Sequence, residues 1–153
     1  MGDVVREIND RLSLASGERG DYQRVEVDGL ADSDPVERQN WIRYKGVRIC
    51  FRDVRYLYGE EAMRIVSLQM RWLRDTKFRD IRLLLDITGG VVDRKVLGIY
   101  KQNARDYKDK FHRIAVIGAT GLLEYFCRVV ISFSGIDARF FDSPKEALDW
   151  LAE

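Results

Sequence analysis

Two aliphatic stretches, each closed by a turn of small residues, constrain this chain more than anything else in it. One runs from Ile81 to Ile87 and leaves through Asp86-Ile87-Thr88-Gly89-Gly90; the other runs from Ile114 to Ile117 and leaves through Gly118-Ala119-Thr120-Gly121. A helical pattern follows each. Strands buried on both faces are near-continuous aliphatic runs, whereas half-exposed strands alternate, so this pair belongs inside a sheet covered by helices. The expected class is therefore α/β. If the two strands are neighbours, both turns reach one rim of the sheet, at the carboxyl ends of the strands, where open α/β sheets usually hold their ligands.

The segments around this pair complete the pattern. Ile42, Tyr44, Val47, Ile49 and Phe51 alternate with Arg43, Arg48 and Arg52, and Lys45-Gly46 supplies a turn, which predicts an antiparallel hairpin. Glu60 to Thr76 carries Ala62, Ile65, Val66, Leu68, Trp72 and Leu73 on one side, the spacing of an amphipathic helix, with Glu60 and Glu61 at its start and Arg74 at its end to suit the dipole. Asp93 is a natural N-cap for a helix bearing Val96, Ile99, Tyr100 and Tyr107. A third helix, Gly121 to Phe133, is almost wholly apolar. A strand from Ala138 to Phe141 precedes Ser143-Pro144-Lys145-Glu146, a capping box with proline at the first helical position, so a short last helix runs through Trp150 and Leu151.

The 153 residues suit one domain, with a break near residue 40. Residues 1–40 form a charged N-terminal arm, irregular from Ser13 to Asn40, in which Val4, Val5, Ile8 and Leu12 could line a short helix. The arm is expected either to be a disordered leader or to order against its own body or a second subunit. Residues 41–153 make the domain proper. Lys and Arg number 26 against 25 Asp and Glu, a net charge of +1, which argues against nucleic acid or acidic lipid as a partner. No run approaches the roughly 20 apolar residues that span a bilayer, and no signal-peptide segment opens the chain, so a soluble cytoplasmic protein is expected. Cys50 and Cys127 have neither metal nor disulfide spacing and are read as buried free thiols.

The order hairpin, helix, strand, helix, strand, helix, strand, helix resembles the STAS fold of sulfate-transporter cytoplasmic domains and anti-sigma-factor antagonists. The residues that carry the resemblance are Leu84-Leu85-Asp86, Val91-Val92-Asp93, Ile114 to Gly118, Phe133-Ser134-Gly135-Ile136 and Phe141-Asp142 through Ala147-Leu148. Asp86-Ile87-Thr88-Gly89, Val116 to Leu122 and Phe141 to Leu151 are similar to a bacterial group of stand-alone STAS/SEC14-like domains. The resemblance implies a mixed sheet with an N-terminal hairpin and about four helices packed on it. It implies a non-catalytic regulatory or binding module acting through protein contacts, with carriage of a small apolar or amphipathic, lipid-like ligand as the alternative by analogy to lipid-binding relatives. In anti-sigma-factor antagonists the Asp that starts the second helix is followed by a phosphorylatable Ser or Thr. Here Arg94 and Lys95 follow Asp93, and Thr88 is the nearest hydroxyl in that turn.

Candidate site residues come from the two turns. Asp86, Thr88, Gly89, Gly90, Asp93, Gly118, Thr120 and Gly121 offer backbone N–H groups near two helix starts, which suits an anion, so nucleotide or phosphate binding is a further alternative. Against it, neither turn has the G-x-G-x-x-G or P-loop spacing, and plain turn glycines explain the pattern as well. Asp86 and Asp93 could share a proton or a metal, or simply bond local backbone and cap a helix. His112, the only histidine, enters its strand at the far end of the sheet, and no serine or cysteine sits in a nucleophile elbow. No enzyme activity, cofactor or metal is expected. Arg64, Arg71, Arg74, Arg79 and Arg82 could make a basic face, but Asp75 and Asp80 dilute it, and a solvated helix face is the preferred reading. The third helix carries more apolar surface than one sheet face covers. Tyr125, Phe126, Val129, Ile131 and Phe133 are therefore candidate interface residues for a homodimer, a ligand pocket beneath the helix, or contact with the arm.

Overall fold

The computed structural model describes residues 22–24, 36–91 and 93–153. The stripe of Val4, Val5, Ile8 and Leu12, most of the arm, and Val92 lie outside the described residues. Six strands form one mixed sheet in sequence order: β1 (Tyr22–Arg24), β2 (Gln39–Tyr44), β3 (Val47–Asp53), β4 (Ile81–Asp86), β5 (Phe111–Ile117) and β6 (Ala138–Phe141). β1, β2 and β3 are antiparallel, and β3 through β6 are parallel. Lys45 and Gly46, both at positive φ, make the tight turn between β2 and β3. β1 belongs to the arm and pairs with β2, so part of the arm orders against its own body.

Helices α1 (Gly59–Asp75), α2 (Arg94–Tyr107) and α3 (Gly121–Ser134) connect the parallel strands, and α4 (Pro144–Ala152) ends the chain. Strands laid down in one direction with crossovers of a single hand leave every crossover helix on the same side. Accordingly α1, α2 and α3 share one face with Trp41, Cys50, Leu83 and Val116, and among the described residues α4 covers the other, against Ile42, Ile49, Leu84 and Ala115. Leu83 and Leu84 point to opposite faces and both are buried, which is why these strands lack alternation.

The two faces are not equally well covered. α1 buries Ala62, Ile65, Val66, Gln69, Met70, Trp72 and Leu73, whereas α2 buries no residue fully and α3 only Ser134. α4 is anchored at many points. Ser143 Oγ accepts from Glu146 N, Tyr44 donates to Asp149 Oδ1 at 2.6 Å, and Arg113 donates to the Trp150 carbonyl at 2.8 Å. Arg82 donates to the Leu151 carbonyl. Arg82 thus lies on the α4 side of β4, apart from the helix arginines, where Arg64 pairs with Glu37 and Glu61, and Arg74 with Asp75. The five arginines do not make one surface.

Candidate functional site

The carboxyl ends of β3, β4 and β5 lie in register, Asp53 beside Asp86 and Asp86 beside Ile117. Both glycine turns therefore reach one rim. Gly118 touches the first turn directly: a Cβ there would fall 2.0 Å from Thr88 Oγ1 and 2.7 Å from Thr88 Cα, and its φ of +77° is one that L side chains rarely adopt. Tyr56, in the loop after β3, lays its ring over Gly89. Of the predicted site residues, Asp86, Thr88, Gly89, Gly90 and Gly118 come together; Thr120 and Gly121 open α3, and Asp93 opens α2.

Several polar groups at this rim are already engaged. Asp86 Oδ1 accepts from Thr88 Oγ1 at 2.6 Å and from Thr88 N at 3.1 Å, and Gly90 N donates to the Ile87 carbonyl. Asp93 Oδ1 accepts from Lys95 N and Val96 N, a helix cap. Asp86 and Asp93 thus serve local backbone separately, and among the described residues no His, Cys, Asp and Glu group is arranged to hold a metal. His112 is exposed at the opposite end of β5.

Beneath the rim lies a buried charge network that the sequence reading missed. Arg55 clamps Asp53 through two 2.8 Å bonds, and its Nε is 3.8 Å from Asp86 Oδ2. Arg38 donates to the Arg55 carbonyl at 2.9 Å. Burial pushes the Asp53 carboxyl up, but the hydrogen bonds from Arg55 and the charges of Arg55 and Arg38 hold it below its ordinary value. The available signal was Asp two residues before Arg at the end of a strand, where the Asp53 carboxylate accepts from the Arg55 N–H in a local turn.

The second feature is a cavity of about 140 Å³ between the sheet and the loosely seated α2 and α3. Its walls are aliphatic and aromatic, among them Leu85, Val116, Tyr100, Leu123 and Ile131, and one wall is formed by Arg52. Arg52 is 2% exposed. It donates to Gln39 Oε1 at 2.7 Å and to the Gln69 carbonyl at 3.2 Å, and stands 5.8 Å from the centre of the Trp72 ring. Alternation along the hairpin places it among the polar residues, yet it shares strand parity with buried Cys50 and the face is roofed by α1. Desolvation raises the Tyr100 phenol to about 12, the Cys50 thiol to about 12 and the Cys127 thiol to about 11, so all three are neutral near pH 7. Cys50 is fully buried as expected, and Cys127 only half-buried.

A family model described as SpoIIAA-like matches residues 53–152. The chain belongs to the SpoIIAA-like family. Among solved structures, it is similar to an uncharacterised protein of the DUF3478 family with a SpoIIAA-like fold from Shewanella loihica, at 25% identity and a TM-score of 0.57 over 74% of this chain and 91% of that one. No curated protein matches it. The SpoIIAA-like fold and the STAS-like mixed sheet expected from sequence are both present, and the fold is that of regulatory, protein-contacting and generally non-catalytic modules. Among the described residues no helix is long and apolar enough to cross a membrane.

Within this SpoIIAA-like frame the structure divides the predicted interface residues of α3. Tyr125, Val129 and Phe133 fall in one stripe with Leu122, exposed by 62, 37, 81 and 62% respectively. Ile131 turns inward and lines the cavity, while Phe126 is half-buried beside the stripe and meets the exposed Tyr125 ring edge-on at 5.6 Å. On the same helix Arg128 pairs with Glu124, one turn earlier, at 2.6 Å. Thr88, the remaining hydroxyl near the family's switch position, is half-buried and bonded to Asp86, so an added phosphate would stand against a buried carboxylate.

Proposed function

We propose that this chain is a non-catalytic regulatory module that works through protein contacts as a cytoplasmic homodimer, its domain comprising residues 41–153. The observation that carries the reading is the α3 stripe. Leu122, Tyr125, Val129 and Phe133 follow one another at intervals of three or four residues and stay exposed, although large apolar side chains in such a row are normally covered. A second copy suits them, because a two-fold axis lets one stripe cover its own image. Two unpaired cysteines favour a reducing compartment. Light scattering at micromolar concentration tests the reading. The wild type is expected at dimer mass and a Tyr125→Ser/Phe133→Ser variant at monomer mass with unchanged circular dichroism; a wild-type monomer counts against it.

The cavity supports a second reading, carriage or sensing of a small apolar or amphipathic ligand beneath α2 and α3. Its volume is close to that of an engineered protein cavity of about 150 Å³ that takes up benzene. Native mass spectrometry of freshly purified protein would reveal a retained ligand as added mass that organic solvent strips away.

A further inference from the structure

Among the described residues, Arg52 in this apolar chamber has no ion-pair partner of opposite charge. Its Nε and Nη2 are bonded to neutral oxygens, and Nη1 has no partner among the described residues. The groups acting on it electrostatically are Cys50 and Tyr100, both neutral near pH 7. Asp93, an acid that also lines the chamber, is engaged with Lys95 N and Val96 N at the start of α2.

A buried guanidinium surrounded by neutral acceptors carries a desolvation cost of several kcal/mol that a carboxylate would offset. Buried polar capacity is unmet beside it as well: Gln39 Nε2 and both side-chain amide atoms of Gln69 have no partner among the described residues. Lys in this place would offer a compact, mobile charge. Arg offers a planar fork that matches a carboxylate.

We propose that the chamber binds a small apolar acid, its carboxylate on the Arg52 guanidinium and its hydrocarbon part against Leu85, Val116 and Ile131 under α2 and α3. This rests on the carrier reading and adds the chemical class of the ligand. The walls supply affinity without direction, and Arg52 selects for negative charge. A neutral molecule of the same shape would leave the arginine unpaired and bind more weakly.

The probes are octanoate and octan-1-ol, titrated into the full chain near neutral pH by calorimetry and by thermal shift. Octanoate is expected to bind at least about tenfold more tightly than octan-1-ol and to raise the melting temperature more at equal concentration. In an Arg52→Met variant the preference should shrink to less than about twofold, with octan-1-ol affinity kept or improved. Equal binding of both probes to the wild type, or a preference that survives in Arg52→Met, would overturn the assignment of Arg52 while leaving the carrier reading intact. Binding of neither probe overturns both. The wild-type comparison decides the matter even if Arg52→Met fails to fold. A Cys127→Phe variant, which fills the chamber from α3 and keeps Arg52, should weaken both probes together; unchanged octanoate binding in it would place the acid elsewhere and overturn the proposal.

Discussion

Asp53 and Arg55 bind each other almost out of contact with water, which makes the pair sensitive to losing either partner. Removing one partner of a buried ion pair strands the other. Asp53→Asn should therefore cost about 3 kcal/mol in urea unfolding. Because the folded state holds Asp53 below its ordinary value, its stabilising contribution is complete above the unfolded carboxylate range and is lost as pH falls through the lower, folded value. Asp149, held well below the usual range by Lys145, Lys45 and Tyr44, acts in the same direction. The urea midpoint should fall between about pH 5 and pH 2, and by less in Asp53→Asn than in the wild type. At Gly118 the constraint is steric. Gly118→Ala should lose about 1–3 kcal/mol, since a methyl group would meet Thr88 and the backbone there has positive φ. An unchanged melting temperature would mean that the two turns do not meet as described.

At the scale of elements, legibility followed burial. The reading Glu60 to Thr76 for the first helix and the observed Gly59–Asp75 agree closely, because its apolar stripe faces a fully packed partner. The Asp93 and Ser143 caps were visible because each side chain bonds backbone only two or three residues away. Arg52 was misplaced for a physical reason. Alternation separates two faces of a strand but does not say that one of them is solvent, and Trp41 and Cys50, of the same face, were the clue that a helix covers it. β1 left no trace in sequence, since three residues make no period and its register comes from β2. The chamber was invisible too: an apolar helix face has the same sequence whether it packs tightly or stands off. In α3 the surplus of apolar residues was legible, but not its division into an outward stripe and an inward row.

On the scale of the whole molecule, α4 is a one-helix layer. Its Ala147, Leu148 and Leu151 are the cover for Ile42, Ile49, Leu84 and Ala115, and three arginine or tyrosine bonds hold it in place. Deleting residues 144–153 should leave a chain that fails to unfold cooperatively and aggregates; a cooperative transition near the wild-type midpoint would show that the helix is dispensable.

The strand order gives this layer a consequence for biogenesis. Each parallel strand docks beside the one made just before it, so the sheet can grow in step with synthesis and loop-closure entropy is small at every addition. The contacts of α4 are the exception, with Tyr44–Asp149 joining residues 105 positions apart and Arg82–Leu151 residues 69 apart. Until α4 has been made, the second side of the hairpin is greasy and lacks this cover, and a nascent chain in that state is the natural client of a chaperone.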